Sequence, residues 1–230
     1  MIPIRDDAPH YTTPWVNYFL IALNCLVFLL ELSMGPHALN ALLFSFGLVP
    51  ANLAAALRAG AYAAAALPFL TSMFMHAGWL HIIFNMWWLW IFGDNVEDWL
   101  GHFRYLLFYL LSGVAASLVH ILFNLGSPVP SVGASGAIAG VMGAYFVLFP
   151  SARVLTFIFV FFTWLPAWLI LGYWFVLQFL SGAATSIASA GHETTGGIAV
   201  WAHVGGFVAG VVMIKLFPRR APRYRFTAWQ

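Results

Sequence analysis

Charged residues are scarce in this sequence, and cysteine occurs only once. Of the 230 residues, 7% are charged and 63% are hydrophobic, whereas roughly 25% of the residues in ordinary soluble domains are charged. A water-soluble chain of this length needs more polar groups to cover its surface, so the composition predicts an integral membrane protein. The single Cys25 rules out an intramolecular disulfide, and the formal charge of +2 gives no indication of a nucleic-acid partner.

Two long stretches, 105–152 and 154–192, contain no Lys, Arg, Asp or Glu. Each exceeds the ~20 residues that cross ~30 Å of hydrocarbon, so each has room for more than one crossing. Backbone groups in lipid must be satisfied internally, which favours helices over the alternating strands of a membrane barrel. We therefore predict an all-α, polytopic bundle of six transmembrane helices in a single domain over 1–230. The spans are expected near 14–34, 79–99, 104–124, 133–150, 154–180 and 198–217.

The basic residues predict how this bundle is oriented. With a cytoplasmic N-terminus, eight of the nine Lys and Arg residues fall on the cytoplasmic side, and only Arg58 falls outside. The eight are Arg5, Arg104, Arg153, Lys215, Arg219, Arg220, Arg223 and Arg225. The first span is expected to be a retained helix, because no small-residue cleavage site follows it. Pro166 falls within the fifth span and predicts a kink there.

The external connection at 35–78 is long and mostly apolar. A linker of that length is normally polar. This one carries Leu42, Leu43, Phe44 and Phe46 close together. We therefore expect it to be membrane-associated, lying in the outer interface or dipping into the bilayer.

Polar side chains within the predicted spans are costly in lipid, and each needs a partner or a role. His81 and Asn85 lie near the start of the second span, Ser135 near the start of the fourth and His203 near the start of the sixth. Even-numbered spans run inward from the outer surface, so these four side chains share one depth in the outer leaflet. The other polar residues, Asn24, Glu31 and His120, are interpreted as structural or as reaching the interface.

Glycines in the fourth and sixth spans predict that these two helices touch. Gly136 and Gly140 are four residues apart, as are Gly206 and Gly210. This spacing lets helix backbones approach closely in a membrane. The fourth span is also short and poor in large side chains, which suits a helix at the centre of the bundle.

A serine and a histidine at one depth can act as nucleophile and base. A serine hydroxyl attacks poorly until a positioned base accepts its proton, and histidine is the usual base. Amide hydrolysis also needs donors at the developing oxyanion. Ser135 falls near a helix N-terminus with unpaired backbone N–H groups, and His81 and Asn85 share a helix face. Because no acidic residue falls at this depth, the sequence predicts a Ser135–His203 dyad.

Other interpretations fit parts of the pattern. A serine such as Ser135 in a glycine-rich helix is often a packing residue, and Ala137 interrupts the G-x-S-x-G elbow of α/β-hydrolases. His76, His81 and His203 together would suggest a metal site, although no carboxylate or cysteine accompanies them at a known spacing. A proton-relay transporter is disfavoured, because the sequence shows no inverted repeat and no chain of buried carboxylates.

Five motifs follow one another along most of the chain. They are Phe46-Gly-Leu-Val-Pro50, Thr71-Ser-Met-Phe-Met-His76, His76-Ala-Gly-Trp-Leu-His81-Ile-Ile-Phe-Asn85, Gly133-Ala-Ser135-Gly136 and Ala202-His203-Val-Gly205-Gly206. In this order and with six-helix hydropathy, they resemble the rhomboid intramembrane serine proteases. The resemblance implies Ser135 as nucleophile and His203 as general base. It implies His81, Asn85 and the backbone N–H of Ser135 as the oxyanion site. The remaining motif residues are implied to have supporting roles: His76, Gly133 and Gly136.

The resemblance also assigns roles to whole segments. The fifth span corresponds to the helix proposed to move aside for substrate, and the loop at 181–197 to a cap over the site. Two positions depart from the family pattern. Ala139 stands where many relatives carry a Tyr or Phe that packs on the catalytic histidine, so another group must orient His203. Leu67-Pro68 stands where many carry Trp-Arg.

These observations together predict an intramembrane serine endopeptidase. It would hydrolyse peptide bonds in or beside transmembrane segments of single-pass or polytopic membrane proteins, with no cofactor, no metal and no nucleic acid. We expect it in the lipid bilayer of a plasma (inner) membrane, with both termini cytoplasmic and the active site opening to the extracytoplasmic side. The alternative is a catalytically weak rhomboid-like protein that binds transmembrane clients.

Overall fold

The computed structural model describes residues 1–188 and 199–218. Strand β1 (Ile2–Asp6) and helix α1 (Trp15–Leu32) come first. The short helices α2 (Pro36–Phe46), α3 (Pro50–Arg58), α4 (Tyr62–Ala66) and α5 (Pro68–Thr71) follow, with a 3₁₀ turn at Ser72–Phe74. Two long helices are α6 (Trp79–Leu100) and α7 (His102–Phe123). The chain continues with α8 (Ser135–Leu148), β2 (Arg153–Ile158), β3 (Phe161–Pro166), α9 (Ala167–Ala188) and α10 (Val200–Met213).

The helices have the lengths and hydropathy of a multi-pass membrane protein. Among the described residues, α1, α7 and α9 are long and apolar enough to cross a bilayer. Tyr62–Phe74 and α6 meet at an angle of 82° and would add a fourth crossing if they form one bent span. Helices α8 and α10 are apolar but have only 14 residues each. A mostly helical, multi-pass class is confirmed, whereas the count of six complete crossings stays a prediction.

Helix α8 lies at the centre of the bundle, with every residue from Gly136 to Tyr145 buried. Its 14 residues rise only ~21 Å, so the helix is shorter than the hydrocarbon layer and lies among its neighbours. The backbones of α8 and α10 are in direct contact. A Cβ atom added at Gly206 would overlap the carbonyl oxygen of Gly136, and one added at Gly210 would overlap that of Gly140. The predicted glycine spacing therefore corresponds to a real close approach.

The fifth predicted span, 154–180, is wrong over its first half. Residues 153–166 form an antiparallel hairpin of β2 and β3, and β1 pairs with β2 to complete a sheet of order β1-β2-β3. Val154 and Thr156 are buried and Arg153 is exposed, which is the period-two pattern of a half-buried strand. An apolar run of this kind has the hydropathy of a membrane helix, so composition alone did not distinguish the two. The all-α prediction must therefore include one small sheet.

Pro166 does not kink a helix. It is the last residue of β3, paired with Arg153, and α9 begins at the next residue. Proline is tolerated at the end of an edge strand and just before a helix, because no backbone N–H is needed at either place. Helix α9 begins at Ala167, inside the predicted fifth span, and ends at Ala188, eight residues beyond the predicted end at 180.

The external segment 35–78 is folded into its short helices and is tied to the residues that precede α8. Leu48 and Ser131 exchange backbone hydrogen bonds, with N···O distances of 3.0 and 2.8 Å. The N–H of Gly133 donates to the carbonyl of Ser72 at 2.8 Å. The segment therefore fixes the backbone immediately before Ser135. Its location in the outer interface stays a prediction.

Two predicted features extend beyond the described residues. The cap at 181–197 falls within α9 up to 188 and otherwise lies outside them. The arginine cluster at 219–225 lies wholly outside them.

Candidate active site

Ser135 is the first residue of α8. The N–H of Ile138 donates to Ala134 O at 3.0 Å, so the amides of Ser135 and its successor precede the first hydrogen bond of the helix. Gly133 just before them has φ 129°, a conformation that L side chains rarely adopt. A Cβ atom there would also lie 2.6 Å from His81 Nε2. The chain therefore passes directly beside His81 as it enters α8.

His203 lies in the first turn of α10 and is buried. Its Nε2 atom is 2.8 Å from Ser135 Oγ, within hydrogen-bond distance, although 68 residues separate the two in sequence. The contact between α8 and α10 produces this short distance. The structure thus brings the predicted nucleophile and the predicted base together.

His81 and Asn85 lie one turn apart on α6 and line the same cavity as Ser135. The N–H of Ala77 donates to His81 Nδ1 at 3.4 Å, which leaves the proton on Nε2 and makes that nitrogen a donor. The Nδ2 amide of Asn85 is buried and has no hydrogen-bond partner within the described part of the chain. Two side-chain donors are therefore available at this wall.

A cavity of about 590 Å³ connects these groups. Its lining combines apolar side chains, among them Phe84, Trp88 and Met142, with the polar side chains of Ser135 and the histidines. This volume lies within the ~300–1,000 Å³ range of ligand pockets. Over 1–188 and 199–218, no group of three His, Cys, Asp or Glu side chains could hold a metal ion, and the three-histidine alternative has no geometric support there.

The loop before α6 contains His76 and is held by helix α1. The backbone N–H of His76 donates to both carboxylate oxygens of Glu31, at 3.2 and 3.3 Å. Its ring packs edge-on against Phe28 and against His81, with centroid distances of 6.5 and 5.1 Å. Glu31 is buried, so the interpretation that it reaches the interface was wrong. Hydrogen bonding to this loop explains its burial.

Gly136 and His120 complete the predicted set. Gly136 lies between Ala116 of α7 and Ala202 of α10, where there is little room for a side chain. His120 lines the cavity, and its backbone carbonyl accepts a hydrogen bond from Asn124 Nδ2 at 2.8 Å. The supporting role of Gly136 and the structural role of His120 stay predictions.

The sequence interpretation missed two residues of α9 that contact His203. Gln178 Oε1 lies 2.9 Å from His203 Nδ1. The ring of Trp174 lies against the imidazole, with centroids 5.7 Å apart and an interplanar angle of 37°. A signal was present for Gln178, because an amide side chain within an apolar span is costly without a partner.

The fold and this cavity define a multi-pass helical membrane protein with a partly buried serine–histidine pair among its helices. The Rhomboid domain model matches residues 63–220, more than half of the chain. The chain therefore belongs to the rhomboid family.

Relatives occur in bacteria and in eukaryotic organelles. The chain is 33% identical over 155 residues to Rhomboid protein 1, mitochondrial, of Saccharomyces cerevisiae, covering 66% of this chain and 42% of that protein. It is 37% identical over 131 residues to Rhomboid protease GluP of Bacillus subtilis, covering 57% and 24%. It is 34% identical over 159 residues to Rhomboid-like protein 11, chloroplastic, of Arabidopsis thaliana, covering 66% and 52%. The chain thus spans about half or less of the length of these relatives.

Proposed function

We propose that this chain is an intramembrane serine endopeptidase that cuts peptide bonds in or beside transmembrane segments. The observation that carries the proposal is the 2.8 Å distance between Ser135 Oγ and His203 Nε2 in a cavity among apolar helices. Family membership supports it, because one similar relative is named a protease. The presence of both residues disfavours a protein that only binds transmembrane clients.

The first chemical step would be acylation of Ser135. Ser135 Oγ attacks the carbonyl carbon of the scissile bond while its proton passes to His203 Nε2. The resulting oxyanion would accept hydrogen bonds from His81, Asn85 and the Ser135 backbone N–H. In other serine hydrolases, removal of one such donor costs on the order of 10²–10³ in rate. The imidazolium then protonates the leaving amine, and the C–N bond breaks.

The second step would be hydrolysis of the acyl-enzyme. A water molecule gives a proton to His203 Nε2 and attacks the ester carbonyl, and the proton returns to Ser135 Oγ as the ester bond breaks. The cavity lining includes His81, Asn85 and His120, which offer hydrogen-bonding groups for such a water. A dyad is sufficient for both steps, because the same nitrogen accepts and donates the proton.

Substrate access sets a second requirement. A peptide bond within a transmembrane helix is protected by the helix, so local unwinding must precede the attack. We infer that substrates carry helix-weakening or small residues such as Gly, Ala or Ser near the cut. We further propose a plasma-membrane location. The distribution of basic residues favours cytoplasmic termini, with the cavity facing the outer leaflet.

The test is cleavage of a model single-pass membrane substrate in liposomes by wild type, Ser135→Ala and His203→Ala. We expect cleavage by wild type and at least a ~10³-fold loss in both variants, because each removes a reacting group. Labelling of Ser135 by a fluorophosphonate probe gives an independent readout. Cleavage by Ser135→Ala at the wild-type rate would refute the proposal. Substrate binding without cleavage by the wild type would favour the client-binding alternative.

A further inference from the structure

Gln178 is an amide side chain on a membrane-spanning helix. It lies on α9 among apolar neighbours, with Leu177 and Phe179 largely exposed on either side. An unpaired amide in hydrocarbon is costly, so its position needs an explanation. Gln178 Oε1 lies 2.9 Å from His203 Nδ1. This contact satisfies the amide oxygen and joins α9 to the proposed base.

The chemistry of an amide oxygen decides the protonation of the ring. An amide oxygen only accepts hydrogen bonds, so the Nδ1 atom that faces it must carry the proton. In a neutral imidazole the other nitrogen is then unprotonated. That nitrogen, Nε2, faces Ser135 Oγ at 2.8 Å. The bond to Gln178 therefore selects the one neutral tautomer of His203 that can accept the serine proton.

Trp174 restrains the same ring from another direction. It lies four residues before Gln178, so both side chains project from one face of α9. Trp174 packs against the imidazole at an interplanar angle of 37°, while Gln178 Oε1 contacts its Nδ1 atom. Ala139 on α8 is buried at the contact with α10 and brings no aromatic ring to His203. The ring orientation is thus supplied by α9.

We propose that Gln178 is a positioning residue that holds His203 in its base-competent tautomer from helix α9. This inference rests on the proposed function and adds Gln178 to it as a third polar residue beside Ser135 and His203. A neutral amide performs the task without placing a carboxylate in the membrane. A second consequence follows from the location of the residue. The base is correctly oriented only while this turn of α9 lies against α10.

The test compares Gln178→Leu, Gln178→Glu and, as a matched control at an adjacent exposed position of α9, Leu177→Ala. The readouts are the rate of fluorophosphonate labelling of Ser135 across pH and the separate kcat and KM for a transmembrane substrate. We expect Gln178→Leu to lower kcat and the labelling rate about 10- to 100-fold with KM unchanged, a part of the ~10²–10⁴ that a positioned base contributes. Leu177→Ala should behave as wild type.

Gln178→Glu supplies a signature that lost packing cannot produce. A carboxylate at this position still accepts from Nδ1 and stabilises the imidazolium, so the acid limb of the pH–rate profile should move to higher pH. His81 of α6 and His120 of α7 line the same cavity and are present in every variant, so they do not account for a difference between variants.

Each outcome decides the inference. Wild-type kinetics in Gln178→Leu, or an unshifted acid limb in Gln178→Glu, would overturn it while leaving the Ser135–His203 proposal intact. Failure of the wild type to label at Ser135 would instead refute the proposed function itself. Should Gln178→Leu not fold in detergent, the Gln178→Glu profile alone decides.

Discussion

Helix α10 meets its two neighbours in different ways. Against α8 it presents Gly206 and Gly210, and the two backbones touch at the carbonyls of α8. Against α9 it presents side chains, with His203 and Phe207 packing on Trp174 and Phe175. The first contact leaves no room for adjustment, whereas the second consists of side chains that can change rotamer.

This difference separates two properties of the candidate site. The distance from Ser135 to His203 depends on the backbone contact, because each residue lies on one of the two touching helices. The orientation of the imidazole depends on α9, which supplies Trp174 and Gln178. A displacement of α9 would therefore change the orientation of the His203 imidazole without changing the distance between Ser135 and His203.

A glycine-to-alanine substitution at the α8–α10 contact and another on α9 should give the largest difference in stability. Gly206→Ala places a Cβ atom onto the carbonyl oxygen of Gly136, and a backbone atom cannot move aside as a side chain can. We expect a loss of stability of about 1–3 kcal/mol or more, as in other overpacked cores. Gly172→Ala on α9 is the matched control, because the nearest atom to its new methyl group would be 3.8 Å away.

Thermal unfolding of both glycine variants in one detergent measures the contrast. The free energy of unfolding of Gly172→Ala should stay within about 1 kcal/mol of the wild-type value, so its melting temperature should be close to that of wild type. Ser135 labelling should fall together with stability in Gly206→Ala only. Equal melting temperatures for the two variants would show that the backbone contact is not as close as described.

A smaller effect should arise on the α9 side. Trp174→Leu and Gln178→Leu each remove one restraint on the same ring, so their effects on the labelling rate should not add. A double-mutant cycle is expected to give a coupling energy of about 0.5–3 kcal/mol, the usual range for residues that share a partner. Strict additivity would mean that the two side chains act on different steps.

The smallest effect is expected at the sheet, where Arg153 bonds Asp7. The Arg153 backbone N–H and Nε each donate to an Asp7 carboxylate oxygen at 2.7 Å. The backbone bond, followed by the side-chain bond, lowers the pKa of Asp7. The resulting stabilisation is present above the ordinary carboxyl pKa of about 3.9 and disappears as the pH falls through the lower folded value. Burial raises the pKa of neighbouring Asp6, so its contribution to stability changes with pH in the opposite direction.

Asp7→Asn therefore isolates the Asp7 contribution. Wild type should lose more thermal stability than Asp7→Asn between about pH 6 and pH 3, by at most ~1 kcal/mol because water screens an exposed pair. Labelling at Ser135 should be unchanged at neutral pH, since the pair lies in the sheet and not at the cavity. Parallel pH profiles for the two proteins would contradict this assignment.

The sequence predicted the helical bundle and the contact between Ser135 and His203 from two different kinds of pattern. Long uncharged runs require helices in lipid, because unpaired backbone groups are not tolerated there. The depth of a polar residue follows from its place within its span, so Ser135, His203, His81 and Asn85 could be assigned to one layer. The glycine pairs then indicated which helices touch.

Other features of the structure could not be predicted from the sequence. The hairpin of β2 and β3 has the hydropathy of a membrane helix, and β2 also pairs with β1, about 150 residues away in the sequence. Glu31 was expected to reach the interface, whereas its hydrogen-bond partner is the His76 backbone, 45 residues further along the chain. In both cases the decisive contact joins segments that no local pattern connects.

By itself the sequence determined the membrane class and predicted the direction of the helices and the depth of the polar residues, because each depends on composition and position along one segment. Only the tertiary structure decided how His203 is oriented. Its tautomer depends on which atom faces Nδ1, and that atom belongs to Gln178, 25 residues earlier on another helix. A hydrogen bond requires a particular direction and a length of about 3 Å, and neither can be predicted from the order of residues in the sequence.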